Sequence, residues 1–192
     1  RSNRHRPYGI NHQNASNAAF TPDATSAGQR ALRATALAYL VASGEDEYAE
    51  IAVAQYGTAD NMTDQMAALS VLNNLDHPGR ETALADFEQR FASDAVVLDK
   101  WFSLQAMSSR DDTLARVKDL MSHSAFTMRN PNKVRALIGA FAMGNPRHFH
   151  AKDGSGYEFY ADRLIELDDI NPQVAARLCS PLGKWAKYDD VR

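Results

Sequence analysis

Apolar residues recur at three- and four-residue intervals along most of this chain, and Gly, Pro, Asn and Asp fall mainly at the ends of those stretches. That pattern predicts helices and no strands, because a half-buried strand would alternate at every second residue. Over residues 21–44, Thr21-Pro22-Asp23 supplies cap-type residues, and Leu32, Leu37, Tyr39 and Leu40 make a broad apolar stripe. Residues 46–56 repeat the arrangement with Tyr48, Ile51, Ala52 and Gln55, and Gly57 is expected to close that helix. A helix over 63–75 follows, capped by Asn61 or Thr63. Pro78 opens the next one at the first turn, where its missing N–H is harmless, and the stripe runs through Leu84, Phe87 and Phe91.

The spacing predicts further helices over 96–107 and 112–121. Asn130-Pro131-Asn132 then stops one element and caps another, since a residue before proline is pushed out of the α region and an Asn side chain can accept from freed N–H groups. The helix it starts, over 132–143, carries Val134, Leu137, Ile138 and Phe141 and ends at Gly144-Asn145-Pro146. After a loop with Asp153-Gly154-Ser155-Gly156 come helices over 156–167 and 172–178. Trp101-Phe102 and Phe159-Tyr160 are expected to fill the core between helices. About nine short helices in consecutive pairs predict an all-α fold of stacked antiparallel hairpins, an irregular HEAT- or armadillo-like superhelix. No repeat of fixed length is present, so a regular array is not expected.

With 192 residues and 44% hydrophobic content, the chain can bury one well-packed core. Its 21 basic and 24 acidic residues, a net charge of -3, argue against a nucleic-acid or anionic-membrane partner, which needs clustered positive charge. No window approaches the ~18 apolar residues of a membrane span. The polar start, with Arg1, Arg4 and Arg6 and no apolar run behind them, is not a signal peptide and reads as a flexible leader over 1–20. Beginning on Arg, the chain reads as a cut or tagged fragment. Cys179, the sole cysteine, sits among Ala175, Leu178 and Leu182 and is expected to be a small buried residue. A lone thiol and no signal sequence point to the cytoplasm.

Four segments in order carry a family resemblance: Asn61-Met62-Thr63-Asp64 with Ala67-Ala68-Leu69, then Leu98-Asp99-Lys100-Trp101-Phe102 with Gln105-Ala106, then the run 124–157, then Asn171-Pro172-Gln173-Val174-Ala175-Ala176-Arg177-Leu178. Together they resemble the C-terminal helical domain of the bacterial-type aminopeptidase N family of zinc metallopeptidases. The resemblance implies that 21–192 is this domain, an all-helical superhelix that closes over a catalytic domain absent from the chain. It also implies that the parent protein removes N-terminal residues from peptides, and that further helices lie beyond the point matching Arg192. Catalysis in such an enzyme needs the H-E-x-x-H zinc motif, two His one turn apart with a Glu base between them. None of the six histidines here, His5, His12, His77, His123, His148 and His150, makes that pattern. No catalytic residue and no cofactor are therefore expected in this chain, which alone should be inactive; the zinc belongs to the parent enzyme.

Three residues are candidate substrate contacts. Gln173 and Arg177 lie four apart, so they share one helix face, and the resemblance implies that they point into the cavity shared with the catalytic domain, toward the peptide beyond the scissile bond. Arg suits a carbonyl or terminal carboxylate because of its planar fork. An ordinary solvated face accounts for the same pattern. Arg135 either flanks the concave face or pairs with an acid such as Asp99. His148-Phe149-His150 with Asp153 falls short of the four ligands of a structural zinc site. The expected partners are the catalytic domain and peptide substrates; the rival reading is a free-standing helical-repeat module that docks a peptide.

Overall fold

The computed structural model describes residues 5–13 and 20–187, and most of them lie in short helices joined by turns. No strand occurs among the described residues. The chain divides into two units, 1–87 and 88–192.

The first unit holds α1 (His5–Gln13), α2 (Ala24–Val41), α3 (Asp46–Thr58), α4 (Met62–Leu72) and most of α5 (Pro78–Arg90). Asp23 caps α2 by accepting from the Ser26 N–H, and Asn61, not Thr63, caps α4 by accepting from the Asp64 N–H. Leu37, Leu40, Ala52, Leu69, Leu72, Leu84 and Phe87 form the core. Gly57 does not end α3, which runs on to Thr58. Gly44, just past α2, adopts φ +79, a left-handed turn that a side chain would resist.

The expected flexible leader is in part a helix. α1 packs on α2, and its buried Asn11 donates from Nδ2 to Arg33 O at 3.2 Å and to Gln55 Oε1 at 3.3 Å. Gln55 Nε2 in turn donates to Asp64 O at 3.3 Å, and Arg33 pairs with Asp64 at 3.2 Å. A polar segment gains its order from these buried bonds, which no apolar stripe announces. Residues 1–4 and 14–19 of the expected leader lie outside the described residues.

The second unit contains α6 (Ala95–Ala106), α7 (Thr113–Leu120), α8 (Pro131–Val134), a π-turn (Arg135–Gly139), α9 (Ala140–Gly144), α10 (Pro146–Phe149), α11 (Ser155–Ile170), α12 (Pro172–Leu178) and a 3-10 turn (Leu182–Lys187). α6 packs against α7, the π-turn and α9, while α11 packs against α10 and α12. Trp101, Phe102, Leu137, Ile138, Phe141, Phe149 and Tyr160 are at most 2% exposed and define the core. Both expected aromatic pairs are thus interior, Phe159 being buried as well. Gly156 lies in α11 where a Cβ would stand 2.3 Å from His148 O and 2.5 Å from Phe149 O, so only Gly lets α10 and α11 approach this closely. Cys179 is exposed, contrary to expectation: it follows the last buried residue of α12, Leu178, and its thiol lies 3.4 Å from Ala175 O.

The helix expected over 132–143 is longer and less regular. Asn130 caps it by accepting from the Asn132 N–H, Pro131 occupies the first turn, and the π-turn interrupts the α geometry from Arg135 onward.

Candidate substrate-facing surface

α12 is a seven-residue helix held by both ends and one face. Asn171 caps it, accepting from the Val174 N–H at 3.2 Å, while Val174, Ala175 and Leu178 are buried and the Tyr160 hydroxyl donates to Leu178 O at 2.6 Å. Burial raises the Tyr160 phenol above its ordinary value of 10.0, with the nearby Cys179 thiol adding to the effect, so the phenol remains a donor. Fixing that face leaves Gln173 and Arg177 on the other, one turn apart and both exposed.

Arg135 also proves exposed, at the head of the π-turn, with Nη1 donating to Asn132 Oδ1 at 3.3 Å. It does not take Asp99. That acid belongs to Lys133, a buried lysine whose Nζ lies 2.7 Å from Asp99 Oδ1. The contact is an ion pair off hydrogen-bond alignment, for the ammonium donates to Ala95 O at 3.0 Å and sits 5.4 Å from the Phe102 ring centre. Pairing the cation two residues earlier frees Arg135 for another role. Lys133→Met, which keeps the stem and removes the charge, is expected to destabilise by about 2 kcal/mol in urea unfolding, because Asp99 loses its cation and Ala95 O its donor. Arg135→Ala should change stability by less than about 0.5 kcal/mol. The reverse order would return Arg135 to the role of ion-pair partner.

The π-turn and α12 meet at a glycine: a Cβ on Gly139 would be 3.6 Å from Leu178 Cδ2 and 3.5 Å from Met143 Cε. Arg135, Gln173 and Arg177 therefore occur on neighbouring elements, all three solvent-exposed. Met143, on α9, is also 59% exposed. Sequence periodicity could not reveal the π-turn, since Val134, Leu137, Ile138 and Phe141 fit an ordinary helix equally well.

Of the residues around His148, Phe149 and His150, His150 and Asp153 are engaged in other bonds. Pro146–Phe149 is a helical turn, not loop, His150 Nδ1 is bonded to the Tyr157 hydroxyl at 2.6 Å, and Asp153 accepts from the Ser155 N–H and hydroxyl. Those bonds hold the Asp153 carboxyl below its usual range, the hydroxyl contributing most. Among the described residues no group of three or more His, Cys, Asp or Glu could hold a metal ion. These residues do not fit a catalytic zinc, which needs three protein ligands and an open position.

The fold is thus all-α, built from short helices. Residues 4–192 match the family model described as a domain of unknown function (DUF3458_C) with ARM repeats, and the chain belongs to that family, as the C-terminal helical domain of the bacterial-type aminopeptidase N kind. It is 44% identical over 165 residues to aminopeptidase N of Escherichia coli strain K12, a match covering 85% of this chain and 19% of the relative. Aminopeptidase N of Haemophilus influenzae is 47% identical over 137 residues, covering 71% and 16%, and that of Caulobacter vibrioides 40% over 172 residues, covering 90% and 20%. The crystal structure of Legionella pneumophila aminopeptidase A in complex with aspartic acid superposes with a TM-score of 0.87 at 34% identity, over 96% of this chain and 23% of that one. The matches span a fifth or less of the curated relatives. No helix of the described residues is long and apolar enough to cross a membrane.

Proposed function

We propose that this chain is the accessory domain of a cytoplasmic, zinc-dependent aminopeptidase that removes N-terminal residues from peptides. It closes the chamber around the active site, limits entry to peptides that fit, and presents Gln173, Arg177 and Arg135 to the part of the substrate beyond the scissile bond. The observation that carries the reading is identity of 40–47% to aminopeptidase N through a segment amounting to a fifth or less of each relative. In this reading metal and chemistry belong to a partner catalytic domain, in keeping with the lack of any group of three or more His, Cys, Asp or Glu that could hold a metal ion among the described residues. Three exposed polar side chains on adjoining, well-anchored elements suit a peptide backbone, which displays carbonyls and a terminal carboxylate to an Arg fork.

The purified 192-residue chain is expected to bind no stoichiometric zinc and to release no 4-nitroaniline from alanine 4-nitroanilide, with or without added zinc, while the full-length protein does both. One zinc per chain by elemental analysis, or turnover by the chain alone, would overturn the assignment of chemistry to a separate domain.

A further inference from the structure

The π-turn at Arg135–Gly139 is held from outside its own helix. In a regular α-helix the Ala140 N–H would bond to Ala136 O; here it goes to Arg135 O and Leu137 O. The Ala136 carbonyl thereby loses the donor that α geometry would supply. Ser103, on α6, replaces it: its hydroxyl lies 2.8 Å from Ala136 O and 2.9 Å from Asp99 O, one proton shared between two carbonyls. A buried carbonyl without a partner is unfavourable, so a side chain placed to satisfy it stabilises the wide turn relative to the α-helix the sequence could otherwise form.

We infer that Ser103 is a positioning residue for Arg135: by bonding Ala136 O it keeps the turn wide and so sets the direction in which Arg135 leaves the helix, beside α12 with its Gln173 and Arg177. The inference rests on the proposed function, in which Arg135 meets the peptide. One residue more or fewer in the turn changes helix phase by about 100°, enough to carry a side chain off a binding surface. A Cβ on Gly139, at the far end of the turn, would stand 3.6 Å from Leu178 Cδ2, so the turn lies close to α12 and the bearing of Arg135 relative to α12 depends on whether the intervening turn is π or α. π-Turns within α-helices occur often at functional sites, in keeping with such a role.

The test uses the full-length enzyme with an alanine-led tetrapeptide and with alanine 4-nitroanilide, which has nothing to place beyond the scissile bond. Ser103→Ala is expected to raise KM for the tetrapeptide about three- to tenfold, the scale of one hydrogen bond, with kcat and both constants for the anilide unchanged. Ser103→Thr, which keeps the hydroxyl, should restore the tetrapeptide KM. Arg135→Ala should raise the same KM at least as far, and adding Ser103→Ala to it should do nothing more, because Ser103 acts through Arg135. Additive effects, or equal losses on both substrates, would show that Ser103 merely supports the fold and would overturn the inference. A silent Ser103→Ala beside an impaired Arg135→Ala would sink the inference and leave the proposed contact standing. A silent Arg135→Ala would remove that contact and the inference with it, while Gln173 and Arg177 would stand on their own variants.

Discussion

Arg177→Ala in the full-length enzyme is expected to lower kcat/KM for tri- and longer peptides about ten- to hundredfold while alanine 4-nitroanilide is turned over nearly as before. The magnitude is that of one charge-assisted hydrogen bond, roughly 1.5–3 kcal/mol, lost from an exposed guanidinium that, in the proposed function, meets only an extended substrate. α12 makes this a clean experiment. Its anchoring comes from Asn171, from buried Val174, Ala175 and Leu178, and from the Tyr160 hydroxyl on Leu178 O, none of which involves the Arg177 side chain. Truncation should therefore leave the helix in place. Gln173→Ala should act in the same direction but less strongly, since a neutral hydrogen bond is worth about half as much. Equal losses on peptide and anilide would assign Arg177 to domain docking, and no loss on either would make it an ordinary solvated residue.

Trp101→Ala is expected to destabilise the protein by about 3–5 kcal/mol, the usual range for deleting a buried aromatic side chain. Trp101 is 2% exposed, with its ring centre 5.2 Å from that of Phe102 and 5.4 Å from that of His123. His123 is itself fixed by Glu88 at 2.8 Å across 35 residues of chain, so the neighbours cannot easily collapse into the space left behind. A shift in the urea midpoint with an unchanged m value would report this directly. A loss under about 1 kcal/mol would contradict the packing described here. Trp101→Phe should recover part of the loss by refilling some of the cavity.

Helix positions were largely legible in the chain because their causes are local. Asp23, Asn61, Asn130 and Asn171 cap with their own side chains, Pro78, Pro131 and Pro172 occupy first turns, and the apolar stripes have the helical period. The candidate pair Gln173 and Arg177 was legible for the same reason: residues four apart share a face, and the neighbouring Val174 and Leu178 show which face is buried. The family was legible too, through segments quoted from the chain itself.

What the sequence alone determined is therefore the helical class, most boundaries, the aromatic core and the absence of an H-E-x-x-H motif. Tertiary structure decided the rest, wherever a residue's state depends on a partner far along the chain. Asp99 could pair with Arg135 or Lys133, and only the packing of α8 against α6 selects Lys133, leaving Arg135 exposed. The π-turn depends on Ser103, 33 residues from the carbonyl it satisfies. α1 orders on a polar surface through Asn11, whose partners Arg33 and Gln55 lie 22 and 44 residues away, and Cys179 is exposed although it sits among Ala175, Leu178 and Leu182 in sequence. Periodicity records how a helix presents its own faces; it holds no information about which distant group meets them, and that choice is made only when the helices pack.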